Sequence, residues 1–263
     1  MKNIAIIAGG NSSEYEVSMK SGKNIYDEVD ETRYNKYLVV LKERDWHVEI
    51  GEEKYPVDKN DFSFTRNGEK ILFDFAYITI HGVPGENGLL QGYLDMMGVP
   101  YGCCNVLASA LTFDKHTCNT YLKSYGVNVA DSVMLIRGMA YDVNEIINEV
   151  GLPCFVKPNA EGSSFGVTKV KEAAQLEDAL KKAFALCREV LIETFIDGTE
   201  LTCGVVKAGD MDITMPIAEV VPKNEFFDFE AKYDPTKSDE IIPARISPEL
   251  TNRIKILSSM IYD

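Results

Sequence analysis

Two short apolar runs, each ending in a glycine-rich loop, dominate the first third of the chain. Residues 3–8 are apolar and lead into Gly9-Gly10, and residues 75–80 lead into the sequence HGVPGENG. Helical patterns follow both loops, one through about residue 29, opened by a possible capping box at Ser13 and Glu16, and one over 89–97. A strand, a glycine loop and a helix repeated in this way predict a doubly wound parallel sheet. Ligands bind such sheets at the carboxyl ends of the strands.

The pattern changes after residue 103, where strands and helices alternate less regularly. Helices are predicted over 106–113, 116–125, 142–150 and 173–186, and strands over 132–136, 154–157, 167–170 and 189–193. A further apolar strand, 37–41, is predicted earlier, within the first unit. Two antiparallel strands, 201–207 and 213–221, are predicted on either side of Gly209-Asp210. Ser247-Pro248 has the form of a helix start, and the apolar residues that follow it form one helical stripe. We therefore expect an α/β unit followed by an α+β unit.

Composition narrows the class of protein. The chain has 263 residues, 45% of them apolar and 26% charged, which is typical of a globular protein that needs no disulfide or metal to stabilise its core. With 27 basic and 41 acidic residues the net charge is −14, which argues against nucleic acid or an anionic membrane as a partner. None of the six cysteines forms a Cys-x-x-Cys pair, and we expect reduced thiols. No signal-peptide core or membrane span is recognisable, so a cytoplasmic location is expected.

Two segments of the second half could bind a nucleotide. In KPNAEGSSFGV (residues 157–167), a lysine at the end of a strand precedes a loop of small residues, whose backbone N–H groups can enclose phosphates. In LIETFIDGTE (residues 191–200), a buried strand ends beside two glutamates that could hold an adenine amine and ribose hydroxyls. Each segment also has an ordinary interpretation, a hairpin loop and a solvated turn. No Walker A sequence occurs.

Taken together, these two segments resemble the nucleotide clamp of the ATP-grasp superfamily, and further motifs resemble those of the D-alanine–D-alanine ligases. The similar segments are GGNSSEYEVS (residues 9–18), HGVPGENGLLQG (81–92), ASALTFDK (108–115) and FFDFEAKY (226–233). The resemblance extends in order from residue 3 to about residue 245. It implies a Rossmann-like N-terminal domain over 1–102, a central ATP-grasp subdomain over 103–190, and an incomplete C-terminal ATP-grasp subdomain over 191–263.

The resemblance also implies an ATP site. Lys115 and Lys157 would bind the α- and β-phosphates under the loop that contains Ser163 and Ser164. Glu193 would hold adenine together with the backbone of Phe195 and Ile196. Glu200 would hold the ribose, and Lys232 would reach the γ-phosphate. Mg²⁺, or Mn²⁺, is the implied cofactor besides ATP.

By the same resemblance, Glu14 and His81 would bind the first D-alanine, and Ser163 and Tyr233 would join Glu14 in a hydrogen-bonded network over the substrates. The implied activity is ATP-dependent ligation of two D-alanines through an acyl phosphate, in peptidoglycan precursor synthesis and hence cell-wall biogenesis and cell shape. A homodimer is expected. From the residues alone, Glu14 could instead cap a helix and Tyr233 could be a core aromatic.

In this family the metal ligands are an Asp, followed by a Glu and an Asn in a Glu-x-Asn segment, and they would fall after Asp263. We therefore expect no metal ligand within the 263 residues, and we expect these residues alone to be inactive. Two alternatives remain. One is a D-Ala-D-Ser or D-Ala-D-lactate ligase of the same superfamily, although Tyr233 speaks against D-lactate. The other is a shortened, non-catalytic nucleotide-binding module.

Overall fold

The computed structural model describes residues 1–223, 232, 234 and 236–263. Contacts divide the chain into two compact units. The first unit contains residues 1–118 together with 160–162, and the second contains 119–159 together with 163–263.

A seven-stranded sheet forms the centre of the first unit, in the order β6-β5-β4-β3-β2-β1-β7. Its elements along the chain are β1 (Lys2–Gly9), α1 (Tyr15–Glu28), β2 (Tyr34–Lys42), β3 (Asp45–Ile50), β4 (Glu53–Asp58), β5 (Ser63–Arg66), β6 (Glu69–Leu72), β7 (Phe75–Ile78), α2 (Leu89–Met97) and α3 (Val106–Phe113). β1 is parallel to both β2 and β7, as the repeated strand–loop–helix pattern predicts. The strands β3 to β6 extend the sheet in antiparallel fashion, which the sequence analysis did not predict.

Helix α1 is held against the sheet by a close approach at Gly22. A Cβ atom at this position would lie 2.6 Å from the Cβ of Ala8 and 3.1 Å from Oγ1 of Thr79, so only glycine allows the contact. Ser18, one turn earlier, accepts a hydrogen bond from the Gly9 amide at 2.9 Å and donates one to the Thr79 carbonyl at 2.9 Å. These contacts fix the start of α1 at the carboxyl ends of β1 and β7.

The capping box predicted at Ser13 and Glu16 is absent. Helix α1 begins at Tyr15, with Glu14 as its N-cap residue. Ser12, two residues earlier than the cap, accepts a hydrogen bond from the Glu14 amide at 3.2 Å. The loop is therefore stabilised by a serine turn before the helix, and the side chain of Glu14 does not cap α1.

A four-stranded antiparallel sheet, in the order β10-β9-β11-β8, forms the centre of the second unit. The elements up to β11 are α4 (Lys115–Ser124), which begins in the first unit, β8 (Ser132–Ile136), α5 (Val143–Val150), β9 (Cys154–Pro158), β10 (Thr168–Val170), α6 (Leu176–Leu186) and β11 (Glu189–Thr194). Leu176, Leu180 and Ala183 on α6 pack on the buried side chains of β9 and β11. This packing holds the strand ends that precede the two candidate nucleotide segments.

The long hairpin predicted around Gly209-Asp210 is divided between two sheets. β13 (Val205–Ala208) and β14 (Met211–Thr214) form the hairpin itself, whereas β12 (Glu200–Thr202) pairs with β15 (Ala218–Pro222) in a separate sheet with β16 (Ser238–Ile241). The division falls at Gly204 and Met215, where the Met215 amide donates to the Gly204 carbonyl at 2.8 Å. Continuous strands were therefore predicted where the backbone changes sheets.

Side chains cap several helix starts, including the one predicted at Ser247. Asp114 accepts a hydrogen bond from the Thr117 amide at 2.8 Å, and Ser247 accepts one from the Leu250 amide at 3.2 Å at the start of α7 (Pro248–Tyr262). Asn105 caps α3 in the same way at 2.9 Å. Within the part of the chain that the structure describes, none of the helices has the length and apolar character needed to cross a membrane.

Candidate functional site

The predicted substrate residue Glu14 is buried, with 4% of its surface exposed, at the end of the loop after β1. Its carboxylate lies against Gly162 of the glycine- and serine-rich loop, where a Cβ would collide with Oε2. A charged side chain buried to this degree is rare unless it has a partner. The Glu14 carboxylate is therefore enclosed by the loop at Gly162, and a side chain at residue 162 would displace it.

His81 reaches the same place from the other strand of the parallel pair. It follows β7, and its carbonyl accepts a hydrogen bond from Ser12 Oγ at 2.7 Å, the same hydroxyl that accepts from the Glu14 amide. The His81 ring nitrogen Nε2 lies 3.4 Å from Oγ of Ser21 on α1. Ser12 thus joins the two loops that contain Glu14 and His81, as expected for residues at the carboxyl ends of adjacent parallel strands.

Lys115, the first residue of α4, contacts the loop that passes Glu14. Its Nζ donates to the Glu161 carbonyl at 2.5 Å. The pKa of the Glu161 carboxyl is raised above its usual value, mainly by burial. The Lys115 ammonium opposes this shift, and the Glu14 carboxylate adds to it. The first unit therefore contains a partly buried cluster of two carboxylates, Glu14 and Glu161, and one ammonium, Lys115. Glu14 and Lys115 are predicted site residues, and Glu161 lies in the predicted phosphate loop.

In the second unit, Lys157 and Glu193 form an ion pair between neighbouring strands. Lys157 is on β9 and Glu193 is near the end of β11, in a register that places Lys157 opposite Leu191. The ammonium contacts Oε2 of Glu193, and the two side chains are 21% and 11% exposed. Two residues predicted to bind different parts of one nucleotide are thus in direct contact.

A third residue in this cluster, Asn119 on α4, was not predicted. Its Nδ2 donates to Oε1 of Glu193 at 3.0 Å, so the two oxygens of that carboxylate have different partners. The sequence offered little signal for this contact, since 74 residues separate the pair. Only the position of Asn119 four residues after Lys115, on the same helix, could have directed attention to it.

The chain leaves β11 past two aromatic rings. Phe195 lies 6.0 Å from Phe155 between ring centroids, and Nζ of Lys169 lies 3.9 Å above the Phe195 ring, a cation–π distance. The Phe195 amide donates to the Pro153 carbonyl at 3.3 Å, so this amide already has a partner within the protein. Ile196 is 68% exposed.

Glu200 and Lys232 also lie in the second unit and interact electrostatically. Partial desolvation raises the pKa of the Glu200 carboxyl, and the Lys232 ammonium lowers it. Ser163 and Ser164 adopt left-handed backbone conformations with φ of 48° and 58°, which are uncommon for residues other than glycine. Consecutive residues in such conformations form loops whose backbone groups can face an anion.

Some predicted features cannot be placed. Tyr233 lies outside the described residues, as does the segment 226–233 apart from Lys232. Among the residues that are described, no three carboxylate, thiol or imidazole side chains come together as metal ligands.

Comparison with protein families identifies both parts of the chain. A model described as the D-ala D-ala ligase N-terminus matches residues 3–104, and one described as the D-ala D-ala ligase C-terminus matches residues 121–263.

Individual proteins agree with these matches. The D-alanine--D-alanine ligase of Bacteroides fragilis is 54% identical over 263 residues, which are all of this chain and 81% of the relative. The VanG D-Ala:D-Ser ligase from Enterococcus faecalis is 31% identical with a TM-score of 0.82, over 99% of this chain and 82% of that one. A D-alanine--D-alanine ligase from Bacillus anthracis complexed with ATP is 26% identical with a TM-score of 0.75, over 100% and 77% of the two chains.

Proposed function

Since the chain belongs to the D-alanine–D-alanine ligase family, an ATP-dependent family of peptidoglycan precursor synthesis, we propose that it joins two D-alanines through an acyl-phosphate intermediate. The observation that carries this proposal is the pair of clusters that the structure contains. One buries the carboxylate of Glu14, which suits an ammonium, and the other presents Lys157 at a strand end before a loop that suits phosphates.

The phosphates of ATP are proposed to bind Lys157 and Lys115, with the loop residues Ser163 and Ser164 above them. An ammonium on a flexible side chain is a compact charge that suits phosphate oxygens. Because Lys157 contacts Glu193 in the present structure, nucleotide binding would redirect its ammonium from the carboxylate to a phosphate.

Adenine is proposed to bind at the end of β11. Glu193 would accept a hydrogen bond from the exocyclic amine, beside the Phe195 carbonyl and the Ile196 amide. Glu200 would accept hydrogen bonds from the ribose hydroxyls. An ionised carboxylate suits both tasks because it is an acceptor only, with about four lone-pair sites.

The first D-alanine is proposed to bind at Glu14, with His81 lining the same pocket. The ammonium of the substrate would form a charge-assisted hydrogen bond with the buried carboxylate. Tyr233 and Ser163 would complete a hydrogen-bonded network with Glu14, as the family resemblance implies.

The reaction then proceeds in two steps. A carboxylate oxygen of the first D-alanine attacks the γ-phosphorus of ATP, forming a new O–P bond as the bond to ADP breaks; Lys232 would stabilise the charge on the transferred group. The amine of the second D-alanine then attacks the acyl carbon, the new C–N bond forms, phosphate leaves, and the amine loses a proton. Holding the amine near the carbonyl contributes about 7–11 kcal/mol in well-oriented intramolecular reactions.

Magnesium is proposed as the cofactor that accompanies ATP. It binds few protein carboxylates and several phosphate oxygens and waters, and it would neutralise part of the triphosphate charge. Among the described residues, no three side chains cluster as metal ligands, and Lys157, Lys115 and Glu14 would each act through their own charge.

A second candidate is the ligation of D-alanine to D-serine. It is favoured by the similarity to the D-Ala:D-Ser ligase of E. faecalis, although the identity of 31% is lower than the 54% to the B. fragilis enzyme. Because of this difference in identity, D-alanine is proposed as the second substrate in preference to D-serine.

The remaining expectations are proposals too. We propose a homodimer, consistent with exposed apolar side chains on α2 and α3 such as Met96 and Leu107, and sedimentation or light scattering tests it. We propose a cytoplasmic location, where ATP is available. We also propose that the N-terminal domain ends at residue 102 and that the central ATP-grasp subdomain ends at residue 190.

The acyl-phosphate step is tested with D-alanine labelled with ¹⁸O in its carboxylate. Transfer of a phosphoryl group to that carboxylate requires one labelled oxygen to leave with phosphate. We expect one ¹⁸O atom per released phosphate in the protein expressed from its complete gene. Unlabelled phosphate released together with dipeptide would refute the intermediate.

A further inference from the structure

Lys157, Glu193 and Asn119 form a cluster in the second unit. Of these three residues, Asn119 is the one for which the family resemblance implies no role. It lies on α4 and is partly buried, and its amide nitrogen donates to Oε1 of Glu193 at 3.0 Å. Glu193 itself is 9% exposed and lies near the end of β11. The hydrogen bond therefore links a helix to the strand end where adenine is proposed to bind.

The two oxygens of the Glu193 carboxylate are held from different directions. Lys157 contacts Oε2 and Asn119 contacts Oε1. Each oxygen has two lone pairs, so a carboxylate with one partner on each oxygen can still accept further hydrogen bonds. The Glu193 carboxylate can thus accept a hydrogen bond from a ligand while Asn119 still donates to Oε1.

The two contacts are not equivalent once a nucleotide binds. If Lys157 turns to a phosphate, it no longer determines the direction of the carboxylate, and a glutamate side chain has several rotatable bonds. The Asn119 amide is neutral, so the phosphates do not attract it as they attract the Lys157 ammonium. It can therefore keep its hydrogen bond to the carboxylate. The orientation of Glu193 in the occupied site would therefore depend on this hydrogen bond.

We propose that Asn119 is a positioning residue that holds Glu193 toward the exocyclic amine of the base, and so determines the preference for adenine over a 6-oxo purine. The inference rests on the proposed function, in which Glu193 binds adenine. Adenine presents an N–H donor at position 6, whereas a 6-oxo purine presents an acceptor. A fixed carboxylate binds the first and opposes the second, because two acceptors then face each other.

The test compares the dissociation constants of ATP and inosine triphosphate, which has an oxygen at position 6. The variants are Asn119→Leu, which keeps the side-chain size and removes the donor, and Asn119→Ser, which is smaller in case the first does not fold. Thr120→Ala is the matched control, since it changes the next, exposed residue on the same helix. Thermal unfolding establishes that each variant is folded.

We expect the wild type to bind ATP more tightly than inosine triphosphate. Both Asn119 variants should weaken ATP binding by about tenfold, the loss of one hydrogen bond to a charged group, and should leave inosine triphosphate binding unchanged or slightly tighter, as the repulsion between the two acceptors is relieved. Thr120→Ala should preserve the ratio of the two constants. An unchanged ratio in a folded Asn119 variant, or an equal loss for both nucleotides, would overturn the inference.

Glu193→Gln separates this inference from the proposed function. If Glu193 binds the base, this variant should reduce the preference for ATP. A reduced preference in Glu193→Gln with an unchanged one in the Asn119 variants rejects only the role of Asn119. A preference unaffected by Glu193→Gln rejects the proposed adenine site itself, and the role of Asn119 with it.

Discussion

The carboxylate of Glu14 occupies the space that a side chain at residue 162 would need. Oε2 of Glu14 lies so close to the α-carbon of Gly162 that a Cβ there would overlap it. The loop that follows Lys157 therefore passes directly over the residue proposed to bind the first D-alanine. Glycine at this position allows the carboxylate to stay where it is, and any side chain there would push it aside.

Gly162→Ala should displace Glu14 and impair D-alanine binding. Because a displaced Glu14 would lose its charge-assisted contact with the substrate ammonium, the KM for D-alanine should rise about tenfold or more. Gly92→Ala is the control, since a Cβ there would have its nearest neighbour at 3.8 Å, in ordinary contact, inside helix α2. Steady-state kinetics of both variants, made in the protein expressed from its complete gene, give the two KM values. An unchanged KM in Gly162→Ala would mean that Glu14 does not bind this substrate.

Glu14→Gln should weaken D-alanine binding while ATP binding persists. The loss of a charge-assisted contact to the substrate ammonium corresponds to about a 10- to 100-fold rise in the dissociation constant. Glu16→Gln, which changes an exposed carboxylate two residues later, should have no effect. Calorimetric titration of each ligand distinguishes the cases. Equal losses of ATP and D-alanine binding would contradict the assignment.

Lys157→Ala should abolish efficient use of ATP. The variant removes a cation proposed to bind phosphate and leaves Glu193 without its ion-pair partner. Removal of one electrostatic stabiliser typically costs about a hundredfold or more in rate. Lys181→Ala is the matched control, because that lysine forms an exposed pair with Asp178 on α6. Phosphate release in the presence of D-alanine is the measurement, and an unimpaired rate in Lys157→Ala would remove Lys157 from the site.

The pair of Glu219 and Arg245 should make stability depend on pH. Hydrogen bonds from the guanidinium, at 3.0 and 2.6 Å, lower the pKa of the Glu219 carboxyl from its usual 4.5 to about 2. A lowered pKa contributes stability above the unfolded value of 4.5, and this contribution is lost as the pH falls toward about 2.

Arg245→Met should therefore lower the Tm at pH 6 to 7, and the difference from the wild type should shrink between about pH 4.5 and 2. Arg253→Met, at an exposed position on α7, is the control and should leave the Tm unchanged over that range. Thermal denaturation followed by circular dichroism gives the comparison. A Tm difference that does not vary with pH would show that the arginine acts through packing alone.

The sequence predicted the strands and helices that position the clusters, since glycine loops and apolar periodicity are local signals. It did not predict β3 to β6, whose short strands have few buried side chains and lie between polar turns. It also missed Asn119, because nothing near that residue indicates a partner 74 positions away. Long-range pairing of single polar side chains becomes visible only once the elements are packed.

The most direct test of the account is to identify the product formed from ATP and D-alanine, with D-serine and D-lactate as competing second substrates, using the protein expressed from its complete gene. Mass spectrometry identifies the product, and phosphate release measures how many ATP molecules are consumed for each product molecule. We predict D-alanyl-D-alanine as the main product, with one phosphate released for each dipeptide. The proposed function would be contradicted if no dipeptide forms from ATP and D-alanine. It would also be contradicted if the main product contains D-serine or D-lactate in place of the second D-alanine.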